Sequence, residues 1–335
     1  MAVVRRLSAA EVAQSLGRSA RARAATPAAR IWVALGTVYL LWGSTYLGIK
    51  FAIDTIPPFL MGSLRFLVAG GVLYVLASRS GDTAGDRLGW PQWRATLFVG
   101  AALLLGGNGG VILAEQYVPT GVVALLVATS PLWMAVIDRA VFGRRLEPLV
   151  IVGLVVGFAG VAFLIGAPGA GRITPIGAAL ALFAPISWAA GSVFSRHVRL
   201  PSRPLVSAAM EMLWAGVLFA IGSVLTGELG RLHIDGVSKT SVVALIYLIV
   251  FGSLVGFSAY IWLLRAAPLS LVSTYAYVNP VVAVILGAIL LGEAINLRVL
   301  AAGGIILAAV ALIVIARNRA ATTPVSALPA EPSRS

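Results

Sequence analysis

Two ionisable residues lie deep inside apolar runs of this 335-residue chain, and each could do chemistry there. Arg65 stands seven residues after Pro58, and Glu211 stands seven residues after Pro204. A charge inside a bilayer is costly, so such a residue is a functional candidate by default. Glu211 could carry a coupling proton, since a carboxyl group both binds and releases one. The alternative is a buried glutamate bonded to Ser, Trp or backbone that never titrates. Arg65 could hold a substrate carboxylate through its forked guanidinium. The alternative is a partner for nearby helix-end carbonyls or Asp54, with the head snorkelling to the interface. Other chemistries are excluded by composition. There is no cysteine, so no disulfide, thiolate metal site or cysteine nucleophile exists. The only histidines, His197 and His233, fall in expected loops, which argues against a histidine metal site or a catalytic triad. No Gly-x4-Gly-Lys-Ser/Thr phosphate loop is present, so ATP is not the expected energy source. No metal, no cofactor and no enzyme activity is expected.

A second group of residues suits a binding lining. Trp42, Ser44, Thr45, Tyr46, Asn108, Trp188, Tyr260, Tyr275, Tyr277 and Asn279 bring aromatic faces and hydrogen-bonding tips into apolar runs. A cavity built from them would accept amphipathic small molecules. The competing reading is an aromatic belt at the membrane interfaces. Pro131 and Pro280 each lie about 12 residues into a run and should each remove one helical hydrogen bond and kink the helix. Lys50, Glu115, Asp138 and Arg196 fall near run ends, where a charge costs little, and are expected to mark boundaries.

The elements that must position these residues follow from composition. Hydrophobic residues make up 59% of the chain and charged residues 11%, against roughly 45–50% and 25% in soluble domains. A membrane helix needs about 20 apolar residues, and ten such runs fit between residues 31 and 316. The expected fold is an all-α integral membrane protein of ten transmembrane helices. Residues 1–30 are an arginine-rich tail, with Arg5, Arg6, Arg18, Arg21, Arg23 and Arg30 against the single acid Glu11. Residues 317–335, rich in Pro, Ala and Ser, are an expected disordered tail. The net charge of +13 is read as orientation against anionic lipid rather than nucleic-acid binding. With a cytoplasmic N-terminus, nineteen Lys and Arg fall on the cytoplasmic side and five on the outer side. That asymmetry places both termini in the cytoplasm.

The chain also repeats itself. Pro131 matches Pro280 and Gly143 matches Gly292 at an offset of 149; Trp42 matches Trp188 and Pro58 matches Pro204 at 146. The repeats span 31–166 and 167–316, five helices each. An odd helix count inverts one repeat relative to the other. Inverted repeats suit alternating access, with a site near the midplane between the halves. Arg65 and Glu211 are then equivalent positions in opposite orientations, each about 10 Å along its helix from opposite faces, so they should not pair.

The string Leu41-Trp42-Gly43-Ser44-Thr45-Tyr46 followed by Lys50, the Pro58 and Arg65 of span 2, and the Pro280 helix ending in Leu291-Gly292-Glu293 resemble the EamA-type drug/metabolite transporters. The resemblance covers about residues 31–316. It implies an inner (plasma) membrane exporter of amino acids, related small metabolites or drugs. One departure is Arg144-Arg145 after Gly143, where glutamate is common in that family. The expected partners are a small-molecule substrate and the lipid bilayer, with a proton as candidate coupling ion and a monomer as the expected state. A non-transporting sensor or lipid-binding protein, and a nucleotide-sugar-type exchanger, stay open as alternatives.

Overall fold

The computed structural model describes residues 27–79, 88–143, 145–166, 174–267, 269–272 and 274–322. Of the expected tails 1–30 and 317–335, residues 1–26 and 323–335 lie outside these residues, as do Arg87, Arg144 and Arg172, whereas 27–30 and 317–322 are helical. The described residues form no strand, a few one-turn helices and ten long helices. These are α1 Pro27–Ala52, α2 Pro58–Arg79, α3 Trp90–Ala114, α4 Thr120–Phe142 and α5 Pro148–Gly166. They continue as α6 Pro175–Phe194, α7 Pro204–Leu225, α8 from Lys239 to Ala266, α9 Tyr275–Leu291 and α10 Leu297–Thr322. Among the described residues, nine of them are long and apolar enough to cross a membrane, and α9 is a shorter apolar helix. Many begin on proline, whose missing N–H is harmless in a first turn and whose fixed φ suits it.

Packing follows a pseudo-twofold relation between α1–α5 and α6–α10. α2 lies along α7, α5 along α10 and α4 along α9, each pair joining equivalents. α3 packs on α6 as α8 packs on α1, and α4 meets α6 as α9 meets α1. The chain is therefore a ten-helix bundle of two inverted five-helix repeats.

Both third helices widen at the same place. Ala101–Asn108 in α3 and Leu248–Val255 in α8 are π-helical. Such turns favour functional sites, and here glycines in and beside them receive the neighbouring tryptophans. A Cβ at Gly107 would stand 3.0 Å from the Trp188 ring, and one at Gly256 would stand 2.5 Å from Trp42 Nε1. Nothing but glycine lets these helices approach so closely.

The breaks in α4 and before α9 have a common local cause. α4 is interrupted between Val127 and Ser130, and a one-turn helix Leu269–Val272 precedes α9. Thr129 Oγ1 donates to Leu126 O at 2.6 Å, and Thr274 Oγ1 donates to Leu271 O at 2.5 Å. Each hydroxyl competes with the backbone ladder. Pro131 sits in the first turn after the break, whereas Pro280 lies inside the continuous α9.

Glycine ends both α4 and α9. Gly143 and Gly292 each have φ +66°, a left-handed turn that costs other residues roughly 1–2 kcal/mol. Gly143→Ala and Gly292→Ala should each lower the melting temperature in detergent by a similar amount; an unchanged melt for either would remove the cap argument.

Two glutamates bind the repeats together at the end of the bundle where Lys50 lies. Glu228, after α7, accepts from Phe59 N at 3.1 Å and Leu60 N at 2.8 Å in the first turn of α2. Glu293, after α9, accepts from Thr120 N at 2.7 Å and Gly121 N at 3.0 Å in the first turn of α4. First-turn amides have no partner within their own helix, and a carboxylate there also meets the positive end of the helix dipole. Each glutamate follows a left-handed glycine, Gly227 or Gly292, which turns the chain so that the side chain reaches across.

Candidate functional site

A cavity of about 130 Å³ lies midway along the bundle, between the repeats. α1 contributes Trp42, Thr45, Tyr46 and Ile49, and α2 contributes Arg65. α3 supplies Asn108, the last residue of its π-helical segment, and α4 supplies Ser130, Pro131 and Met134. From the second repeat come Trp188 of α6, Gly252 and Phe257 of α8, and Tyr275, Asn279 and Pro280 of α9. The wall is mostly apolar and aromatic with a few polar tips, the usual composition of a small-molecule site.

Trp42 organises the aromatic wall. Its ring meets Tyr260 at 5.0 Å and Phe257 and Tyr275 at 5.4 Å each, the last two edge to face. Its Nε1 donates to Gly252 O at 3.2 Å, an acceptor within the π-helical segment of α8. The indole is thereby locked, which lowers the ordering cost of binding an apolar group against it.

Among the described residues, Arg65 is the one basic side chain in the lining. It is 3% exposed, and its Nε donates to Ser253 Oγ at 3.0 Å. Its guanidinium carbon stands 4.9 Å from the Phe66 ring centre. Its Nη1 has no hydrogen-bond partner among the described residues. A buried guanidinium nitrogen without an acceptor is unfavourable, and a ligand carboxylate entering the cavity supplies the missing acceptor. The sequence left Asp54 or helix-end carbonyls as its partners; the structure gives Ser253 instead.

The remaining residues singled out in the sequence divide by position. Ser44 points away from the cavity and shares a 2.5 Å hydrogen bond with Tyr247 Oη. Tyr260 backs Trp42 rather than lining the space, and Tyr277 is a half-buried residue outside the lining. Asn279 takes the amide orientation in which its nitrogen donates to the carbonyls of Tyr275 and Tyr39, each at 3.3 Å. Glu211 also lies off the lining. It accepts from Ser207 Oγ at 2.9 Å, and its backbone carbonyl faces Gly100 of α3. Arg65 and Glu211 are not brought together. Sequence reasoning missed Ser253, Gly252 and Phe257; the signal for Gly252 is a glycine placed where α1 presents Thr45, 3.0 Å from a would-be Cβ.

The EamA-like transporter family model matches residues 30–166 and again 175–315, once for each repeat. The chain belongs to the EamA-like transporter family. Among EamA-like relatives, the uncharacterized inner membrane transporter YedA of Escherichia coli (strain K12) is 38% identical over 296 residues, covering 88% of this chain and 94% of that protein. A probable amino-acid metabolite efflux pump of Salmonella typhimurium (strain LT2) is 27% identical, covering 81% of this chain and 90% of its own. One crystal structure shares the EamA-like fold, with a TM-score of 0.59 at 22% identity, and covers 87% of this chain and 98% of the solved one. This EamA-like chain is thus a multi-pass membrane transporter.

Proposed function

We propose that the chain is a secondary transporter that exports small amphipathic solutes bearing a carboxylate, amino acids or related metabolites, across the inner membrane by alternating access. The observation that carries this reading is Arg65, a buried guanidinium with a spare donor, in an aromatic cavity between two inverted repeats. One basic group suits one carboxylate. A nucleotide sugar, with its two phosphates, would call for more positive charge than this lining offers. The relative named as an amino-acid metabolite efflux pump supports the same substrate class.

The end carrying Lys50 is assigned to the outer side, because the sequence assigns nineteen Lys and Arg to the loops and tails of the other side and five to this one. Both termini are then cytoplasmic. The energy source is an ion gradient, with the proton as the coupling ion. Glu211 was one candidate proton carrier; its bond to Ser207 and its place off the cavity favour the packing role that the sequence also allowed.

The test is a solute panel in cells with and without the protein, scoring growth resistance and efflux for amino acids and toxic amphiphiles. The expected outcome is faster efflux of at least one carboxylated amphiphile. No change for any solute across the panel would overturn the reading.

A further inference from the structure

Glu115 has no task in the site so far described, yet it is the most deeply buried acid of the chain's outer end. It directly follows Ala114, the last residue of α3, and is 0% exposed. Neither carboxyl oxygen has a hydrogen-bond partner among the described residues. The sequence placed it at an interface, where a charge costs little. The fold instead buries it, with Lys50 at the end of α1 and Glu293 after α9 beside it. Its charged and titratable neighbours are Lys50 and Tyr46 from α1 and Glu293 from the turn after α9. The Lys50 ammonium does not reach the carboxyl group: it donates to the backbone oxygen of Glu115 at 2.6 Å. Glu293 is committed to the first-turn amides of α4, at 2.7 and 3.0 Å.

We propose that Glu115 is the coupling-proton site of this transporter, and that its protonation holds the outer end shut. The proposal rests on the transport reading for its purpose and on the charge asymmetry for which end is outer. With the carboxyl neutral, Glu293 sits beside it without repulsion and keeps α4 and α9 joined. Burial pushes the Glu115 carboxyl well above the usual carboxylate range; Lys50 opposes this and Glu293 reinforces it. Once ionised, Glu115 needs water and repels Glu293, and both demands are met by parting the outer ends. Water entering there returns a proton to the carboxylate, and the end closes again. Tyr46 lines the cavity and lies close enough to Glu115 to feel its charge. The cavity wall at Tyr46 is the side through which the proton leaves when the opposite end is open. One proton moves inward for each opening through which a solute leaves.

The closed form binds the proton more tightly, so it is favoured at low pH and lost as pH rises. The chain has no cysteine, which makes single thiols clean reporters. Val118→Cys places one at a buried position of the outer end, and Leu297→Cys places one at an exposed position, 3% and 82% exposed respectively. Labelling by a charged, membrane-impermeant methanethiosulfonate added outside would be followed against external pH, with the Leu297 thiol correcting for thiolate chemistry. The corrected rate at position 118 should rise by about tenfold per pH unit through the titration, as a one-proton equilibrium requires. In Glu115→Gln it should stay slow at every pH. A flat wild-type profile, or a Glu115→Gln profile matching wild type, would overturn the proposal. Labelling needs no substrate. An empty solute panel with pH-dependent labelling intact removes the transport reading and the coupling role and leaves the latch, and the converse result removes the latch and leaves transport.

Discussion

Arg65→Met should reduce transport of carboxylated solutes by about 30-fold to several-thousandfold while the protein stays folded. Removing one partner of a buried, hydrogen-bonded charge pair costs about 2–5 kcal/mol, and about 1.4 kcal/mol is a factor of ten. Folding is spared because the substitution leaves only the Ser253 hydroxyl without its bond, and it removes an incompletely paired buried charge, itself unfavourable. Arg65→Lys should not restore the rate, since an ammonium lacks the fork that can engage Ser253 and a carboxylate together. The measurement is uptake into inverted vesicles for carboxylate and amide forms of the same solute. Selective loss of the carboxylate form is expected. An equal fall for both forms would mean that Arg65 supports packing and does not touch the solute.

Gly100→Ala should destabilise the protein more than other helical glycine replacements. A Cβ there would stand 2.5 Å from the backbone oxygen of Glu211 and 3.0 Å from its Cα. Both neighbours are backbone, so α3 and α7 must separate, at the upper end of the roughly 1–3 kcal/mol typical of overpacking. The gain from replacing glycine in a helix, about 0.5–1 kcal/mol, offsets only part of this. Gly71 and Gly304 have nothing within 4 Å of a would-be Cβ, so Gly71→Ala and Gly304→Ala keep that gain and should melt slightly higher than wild type. Thermal unfolding in detergent checks both signs. A Gly100→Ala melt at or above wild type would mean that α3 and α7 are not held at this spacing.

The helix count, the inverted repeats and several cavity positions were legible before any coordinates. Hydropathy measures length and depth, and the matched Trp42 and Trp188, or Gly143 and Gly292, report a duplication directly. Depth along a helix does not report which way a side chain faces. Glu211 and Arg65 are equivalent in depth, yet one turns to Ser207 and the other to the cavity. Glu115 looked like a boundary residue because its run ends there; the charges beside it in the fold, Lys50 and Glu293, are 65 and 178 positions away along the chain. The caps by Glu228 and Glu293 were hidden for the same reason, although the Gly-Glu pair that ends both α7 and α9 was a usable signal. The π-helical turns left no mark except glycines, which close packing alone would also explain.

In the proposed function, solutes cross through the cavity between the repeats. Thr45 lines it, and Thr45→Cys offers the only thiol in the chain. Counterflow would be measured in proteoliposomes holding that purified variant, with a panel of labelled amino acids, before and after its thiol reacts fully with a bulky methanethiosulfonate. Exchange of at least one panel member is expected, with its loss once the cavity is filled. Exchange that continues at full modification, or no exchange by any member before it, would contradict the account.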